Sequence, residues 1–377
     1  MVSPLETPRS SLAATKAADN IEPIVALARD GTDEQKQHAV KVLNLLAMKA
    51  DLQEALAKAA TKELLSLAPH ENKTISNYAL TALLNLADNK AAARTIVEHR
   101  GVEHISNLLS PSLIEDFGSY SSATATAAAV IASLASRGVI QELNKEMIGD
   151  LASLISMPTA TLNAGAEEEI GGGTAAAIKE KAALALGSIA MSSVNSRIQQ
   201  RFADYALKPL VALAQYEEER PADDESSTAI GAFDGARQQA AWALRNFVCA
   251  TPSPDFAREG MAQSPIEAVV EAGAIEPLVA LEHGGMGGML TPRRMSWAAE
   301  ALDLIGRSYA QDHKVNEQIT FARRQFGLKT AQIHKRDKER DAGRKTGQSA
   351  EGKILELIAE MKAQGSWPPK GRFLGNP

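Results

Sequence analysis

The chain has 377 residues, more than one compact hydrophobic core usually holds, so we expect either several domains or an array that builds its core piece by piece. Aromatic residues make up only 4% of the chain, which favours close-packed helices over sheets built from Val, Ile, Tyr and Phe. The formal net charge of −6 argues against a molecule that binds polyanions through its overall charge.

Cysteine content and apolar runs indicate the compartment. Cys249 is the sole cysteine and cannot form an internal disulfide, which is typical of a reducing compartment. No apolar run reaches the ~20 residues that span a bilayer, so we expect no membrane span. Residues 1–19 are predicted to be a flexible segment without the apolar core of a secretory signal. A cytoplasmic location is the expectation, with nuclear or organellar import left open.

A short pattern recurs at three places along the chain and predicts a helix at each. The copies are Asn20-Ile-Glu-Pro-Ile-Val-Ala-Leu-Ala28, Ala206-Leu-Lys-Pro-Leu-Val-Ala-Leu-Ala214 and Ala274-Ile-Glu-Pro-Leu-Val-Ala-Leu281. Proline in the first turn removes no hydrogen bond, because the N–H groups there have no partner within the helix. The apolar residues that follow are then free to face a core.

A second string, rich in Ala and Leu, also recurs along the chain. Its copies span residues 39–47, 79–87, 127–135, 182–190, 240–248 and 298–305. Small residues on one face suit long helices that approach a neighbour closely. Asn44 and Asn85 occupy the same place in the first two copies and are 41 residues apart, within the period expected of helical repeats of this size.

Several copies are followed by a polar turn and a short helix, as in residues 88–101, where Gly101 is expected to end that helix. The later repeats are longer because they carry insertions. These fall before the Ala- and Leu-rich helix, over residues 110–122, 156–174, 215–235 and 283–292. Equivalent loops of stacked repeats emerge on one side, so the four should line one rim. They are either functional or unstructured decoration, and the sequence leaves both open.

The segments Gly273-Ala-Ile-Glu-Pro-Leu-Val-Ala-Leu281 and Ala243-Leu-Arg-Asn-Phe247 resemble the second and third helices of armadillo repeats. The resemblance covers residues 20–320 and implies an all-α fold, a right-handed α-solenoid of about six armadillo repeats with long insertions between the second and third helices. It also implies a non-enzymatic protein–protein interaction scaffold or adaptor that binds a peptide or helix in a concave groove. The alternatives are a structural subunit of a large multiprotein assembly and, less favoured, a nuclear transport receptor similar to importin alpha.

In armadillo proteins the third helices line the concave surface, so the resemblance places partner-binding side chains there. Asn suits this role because its amide offers a donor and an acceptor to a peptide main chain. Trp242 stands one helical turn before Asn246 on the same face, although it is equally interpreted as a packing residue beneath a loop. The tandem Trp-x-x-x-Asn pairs of importin alpha are absent. The candidate groove residues are Asn44, Thr81, Asn85, Ser133, Ser188, Gln239, Trp242, Asn246, Trp297 and Glu300.

Side chains suited to catalysis or metal binding are scattered. His99 and His104 are five residues apart, which places them off a common helix face, and no cysteine pairs accompany them. A glycine-bearing segment over residues 347–353 has the spacing of a phosphate-binding loop, but Ile354 replaces the hydroxyl residue that would hold magnesium. We expect no enzyme, cofactor, metal or small-molecule substrate. Cys249, beside an apolar neighbour on a helix, is expected to be a buried filler.

Residues 321–377 form a basic tail outside the resemblance. Its apolar residues recur at helical spacing over residues 351–364, which predicts an amphipathic helix, and prolines predict an extended end. We expect the tail to dock on the solenoid or on a partner through Ile354, Leu355, Ile358, Met361 and Trp367. Acidic residues offset the basic ones, so nucleic acid is a weaker alternative. The expected partners are therefore proteins, which contact the groove, the inserted loops and the tail.

Overall fold

The computed structural model describes residues 21–111, 121–140, 145–163, 174–192, 196–215, 232–250, 264–282, 292–308, 315–325 and 327. Within these ranges the regular structure is helical throughout and no strand occurs. The all-α prediction is confirmed. The chain divides into two compact units, Met1–Ile319 and Thr320–Pro377, and only residues 320–325 and 327 of the second are described.

The described helices follow one another in chain order. The first part contains α1 (21–30), α2 (Asp33–Ala47), α3 (Gln53–Leu67), α4 (Lys73–Ala87), α5 (Lys90–Glu98), α6 (Gly101–Asn107), α7 (Ser121–Ser136), α8 (Lys145–Ser156) and α9 (Thr159–Asn163). The second part contains α10 (Thr174–Ser192), α11 (Ser196–Tyr205), α12 (Leu207–Gln215), α13 (Ala232–Cys249), α14 (Pro265–Glu271), α15 (Ile275–Glu282), α16 (Pro292–Ser308) and α17 (315–325).

The long Ala- and Leu-rich helices form the spine of the structure. They are α2, α4, α7, α10, α13 and α16, and each contacts the next along the chain. Every one contains its predicted string, so the repeat prediction is confirmed. The three proline-containing copies lie in α1, α12 and α15, the second helices of their repeats, with the proline in the first turn as expected. The core lies between the helices of the repeats, and first helices contribute to it, as where Phe202 stacks on Phe247.

Local signals explain where individual helices begin. Thr32 and Gln35 form a reciprocal capping box at the start of α2, and Ser264 and Glu267 form another at α14. Each box satisfies backbone donors that the first turn would otherwise leave without partners. An ion pair ties the first repeat to the second, because Arg29 Nη2 on α1 lies 2.7 Å from Glu63 Oε1 on α3.

The insertions fall between second and third helices, as predicted. The helix before each insertion ends at Asn107, Ser156, Gln215 or Glu282, and the third helix after it begins at Ser121, Thr174, Ala232 or Pro292. The second insertion opens with the short helix α9, which the sequence did not predict. The middles of the insertions, residues 1–19, the predicted helix over 351–364 and the five predicted docking residues of the tail lie outside the described residues.

The expectation that Gly101 ends the short helix of residues 88–101 is wrong. That helix, α5, ends at Glu98, and Arg100 takes the left-handed conformation with φ of 56°. Gly101 is instead the first residue of α6. It is needed there for space, because an added Cβ would lie 2.6 Å from the carbonyl oxygen of Ile96. The chain therefore turns from α5 into α6 on an arginine that adopts a conformation glycine usually takes.

Candidate partner-binding surface

The candidate groove residues all lie on third helices, in three rows along one face. The row of Asn44 also contains Asn85, Ser133, Ser188 and Asn246. One helical turn earlier lie Thr81, Trp242 and Glu300, and a further three residues earlier lie Gln239 and Trp297. Positions four and seven residues apart share one side of a helix, so the rows are neighbours.

In the early repeats the polar candidates bond to the solenoid itself. Asn85 Nδ2 donates to Asn44 Oδ1 over 3.0 Å, which joins α4 to α2. Thr81 Oγ1 donates to the carbonyl oxygen of Asn77 at 2.7 Å. Ser133 Oγ donates to Asp88 Oδ1 at 3.3 Å. These side chains connect neighbouring turns and helices, although Asn44 and Asn85 remain half-buried and so partly open to solvent.

Asn246 and Ser188 lie deeper than the sequence suggested. Each is only 2% exposed. Asn246 Nδ2 donates to the carbonyl oxygen of Gly187 at 3.1 Å, and Asn246 Oδ1 accepts from Arg245 Nη1 at 3.0 Å. Because the bond to Gly187 crosses from α13 to α10, this amide holds two third helices together in the described structure. Neither side chain is accessible to a partner in this conformation.

Trp242 and Trp297 form an aromatic pair across α13 and α16. Their ring centroids are 6.2 Å apart and the rings are tilted by 52°, within the range of favourable aromatic contacts. Both side chains are half-buried. On its other side the Trp242 ring lies against Gly187 of α10, where an added Cβ would collide with it. The aromatic pair therefore spans three consecutive third helices, and glycine makes room for one of its rings.

An ion pair that the sequence analysis missed joins the same helices. Arg245 Nε lies 3.0 Å from Glu300 Oε2, and the side chains are 34% and 48% exposed. Glu300 was a candidate, but Arg245 was not, since it belongs to none of the three rows. Arg245 could have been found from the opposite charge of Glu300 on the next third helix, but only once the order in which the helices stack is known. In general, charged groups with this exposure contribute little to the stability of the fold, and in interfaces they help to orient a binding partner.

Two glutamines near the aromatic pair have buried amide atoms without a hydrogen-bond partner in the described part of the chain. They are Gln238 Nε2 and Gln239 Oε1. Gln239 was predicted as a groove residue, whereas Gln238, one helical turn before Trp242, was not. Because these atoms are buried, they do not count as open contacts for a partner. Unpaired buried amides of this kind typically cost about 1–3 kcal/mol of stability.

The described residues contain no group of three or more His, Cys, Asp or Glu side chains arranged to hold a metal ion. None of the helices in those same ranges has the length and hydropathy needed to cross a membrane. The expectation that Cys249 is a buried filler is wrong. It is the last residue of α13 and is exposed, whereas its neighbour Val248 faces the core with 7% exposure.

Comparisons with known proteins match the chain at the level of structure. No protein-family model matches the sequence, and a search of curated proteins found no significant match. The designed armadillo repeat protein YIII(Dq)4CqI aligns with a TM-score of 0.52 and 20% identity, covering 76% of this chain and 99% of the designed one. The designed protein YIII(Dq.V1)4CPAF, solved in complex with the peptide (KR)4, gives the same values. A computationally designed armadillo repeat protein for modular peptide recognition aligns with a TM-score of 0.50 and 19% identity, over 75% and 99% of the two chains.

The chain has an armadillo-repeat fold. The matched designs are covered almost completely, so the likeness extends over a whole array of armadillo repeats and not one helical hairpin. At about one identical residue in five, the likeness establishes the fold alone. The assignment of partner-binding residues to the third armadillo helices stays a prediction.

Proposed function

We propose that this armadillo-repeat chain is a non-enzymatic protein-interaction scaffold that binds an extended segment of another protein across α10, α13 and α16. The observation that carries the proposal is the half-buried aromatic pair, Trp242 and Trp297. The pair lies on the face of these helices that carries the three rows of candidate groove residues. Tryptophan is among the residues most enriched at binding hot spots, because it offers a large rigid surface with few rotatable bonds.

The packing around Trp242 supports this role. The Trp242 ring packs directly against Gly187, which has no side chain to block it. The hydrogen bond from Asn246 Nδ2 to the Gly187 carbonyl oxygen holds α10 against α13. A side chain held in this way loses little conformational freedom when a partner binds, so more of the contact energy appears as affinity. The nearby Arg245–Glu300 ion pair supplies polar groups at the edge, as expected of a rim around an apolar centre.

The designed armadillo protein that was solved with the peptide (KR)4 is an example of this fold holding a peptide. It supports an extended polypeptide as the ligand class for the present chain. We favour an adaptor over an import receptor, since the single Trp-x-x-x-Asn pair of the chain has a buried Asn246.

The proposal is tested by selecting peptides from a random displayed library with the full chain. Replacing either tryptophan should weaken a selected peptide by about 30-fold, which is ~2 kcal/mol, as for an aromatic hot spot. The matched control is Tyr205→Ala, which removes an aromatic side chain of 40% exposure from α11, a first helix. Affinity should be unchanged in the control. Thermal melting of each variant is measured in parallel.

Three outcomes would contradict the proposal. Selection could yield no peptide, or the selected peptides could bind the Trp242→Ala and Trp297→Ala variants as well as the unmodified chain. The third outcome separates binding from packing. If Trp242→Ala melts at a much lower temperature while its affinity per folded molecule is unchanged, Trp242 belongs to the core.

A further inference from the structure

The first repeat exposes apolar positions that later repeats bury. Leu27 on α1 is 46% exposed. The near-identical second helices α12 and α15 place Leu213 and Leu281 at the same position, four residues after the proline, and each is 3% exposed. Leu27 is therefore exposed because of where its repeat lies in the array, since its sequence position is the same in all three.

The third helix of the first repeat shows the same contrast. Val42 and Leu45 on α2 are 40% and 54% exposed. The positions that match them on α4 are Leu83 and Leu86, both fully buried at 0%. On α13 they are Leu244 and Phe247, at 0% and 1%. Later repeats bury these side chains because each third helix packs on the preceding one, and no described helix precedes α2 in that stack.

We call Leu27, Val42 and Leu45 the first-repeat face. Terminal repeats of a solenoid normally carry a polar outer surface, because nothing stacks on them and an apolar surface would aggregate. The first-repeat face keeps the apolar residues of an internal repeat. It therefore requires a covering element of the kind that internal repeats receive.

We propose that residues 1–20 of this chain cover the first-repeat face, with the stretch around Leu12 against Val42 and Leu45. This segment leads directly into α1 at Ile21. Only residues 31 and 32 join α1 to α2, so the segment enters the array at the same repeat that carries Leu45. Leu12 comes shortly before Ile21, a reach of ~13 Å as helix and up to ~30 Å if extended. The extended span exceeds the ~22 Å length of α2, so Leu12 can reach Val42 and Leu45.

The composition of the segment fits this place. Leu12 is followed by Ala13, Ala14, Ala17 and Ala18. Alanine is the residue that lets the third helices of the array approach one another closely, as in the Ala-rich α7 and α10. Leu12 then supplies the larger apolar side chain that Val42 and Leu45 require.

The size of the first-repeat face favours a tethered segment over a second copy of the chain. The two helices, ~15 Å and ~22 Å long and each ~10 Å wide, present about 370 Å², less than half of the ~800 Å² per partner that stable interfaces bury. A segment on a short tether needs less, because its local concentration is in the millimolar range. The same small contact is therefore sufficient within one chain and insufficient between two.

Disulfide trapping in the full chain tests the proposal. Leu45→Cys is combined in turn with Leu12→Cys, Ala13→Cys or Ala14→Cys, in a chain where Cys249→Ser removes the native thiol. The matched control combines the same three changes with Met191→Cys, since Met191 on α10 is 52% exposed and so equally accessible. We expect an intramolecular disulfide with position 45 and none with position 191. A covalent dimer, or no disulfide in any of the three pairs, would overturn the proposal.

Limited trypsin cleavage after Lys16 gives a second measure that does not depend on side-chain geometry. Leu45→Asp should speed this cleavage about tenfold, because cleavage follows the population of the open segment and a charge removes the apolar contact. Met191→Asp is the control and should leave the rate unchanged. Equal cleavage rates in the Leu45→Asp variant and the unmodified chain would contradict the docking.

Discussion

Gly187 on α10 is the position where the structure makes its sharpest prediction about packing. An added Cβ would meet the ring of Trp242 and would lie 3.1 Å from the Cα of Ala243. The ring can turn aside, but the Cα belongs to the backbone of α13 and cannot move alone. Gly187→Ala should therefore push α10 and α13 apart.

The size of the effect follows from two opposing terms. Alanine in place of glycine within a helix gains up to about 1 kcal/mol from helix propensity. Overpacking by one methyl group in a close contact costs about 1–3 kcal/mol. The hydrogen bond from Asn246 Nδ2 to the Gly187 carbonyl oxygen is strained by the same displacement, which adds to the cost. A net destabilisation of about 1–2 kcal/mol is expected from the difference of these terms.

Gly149→Ala provides the matched control, because Gly149 also lies within a helix, α8, and an added Cβ there would meet nothing within 4 Å. It should receive the propensity gain alone and raise the melting temperature. Urea unfolding followed by circular dichroism measures both variants, with melting temperatures compared as well, since repeat arrays do not always unfold in two states. If Gly187→Ala stabilises the chain as much as Gly149→Ala does, the close approach of α10 and α13 at this glycine is refuted.

Two further predictions concern single side chains. Asn246→Ala should lower the free energy of unfolding by about 1–2 kcal/mol, since it removes a buried hydrogen bond. Asn44→Ala removes the half-buried hydrogen bond with Asn85 and should cost at most ~0.5 kcal/mol. Equal losses in urea unfolding would contradict this. Burial raises the pKa of Asp150, and the charge of Glu146 raises it further, so the folded chain holds this proton more tightly than the unfolded chain does. The charged form then opposes folding above the ordinary carboxyl pKa of ~4, so Asp150→Asn should raise the melting temperature at pH 7, with the gain vanishing as the pH falls toward 4. A gain that is independent of pH would count against this explanation.

The fold could be predicted because its determinants are local and repeated. The strings that became α2, α4 and α13 each carry the 3.6-residue period that predicts a helix, and the prolines of α1, α12 and α15 mark where second helices begin. Stacking order then follows, because a helix with apolar residues on two sides must be covered on both. The insertions did not obscure the pattern, since they fall between helices and leave each helical string intact.

The depth of the candidate side chains could not be predicted in the same way. Periodicity places Asn246 and Asn44 in one row, yet one amide is buried and the other is partly open. The difference comes from the facing helix, because Gly187 lets α13 approach α10 so closely that Asn246 reaches a backbone carbonyl. Position 246 and its partner are 59 residues apart in sequence, and no property of either string alone specifies that approach.

The aromatic pair illustrates how a site arises from positions that are not equivalent. Trp242 lies one turn before the Asn row on α13, and Trp297 lies two turns before it on α16, so a row-by-row comparison pairs Trp242 with Glu300. The rings nevertheless lie 6.2 Å apart, while Glu300 bonds to Arg245. Contacts between α13 and α16 therefore run diagonally across the rows. A segment bound over the aromatic pair would follow this diagonal and pass the partly exposed Arg245, one turn after Trp242, so Arg245→Ala should weaken its binding.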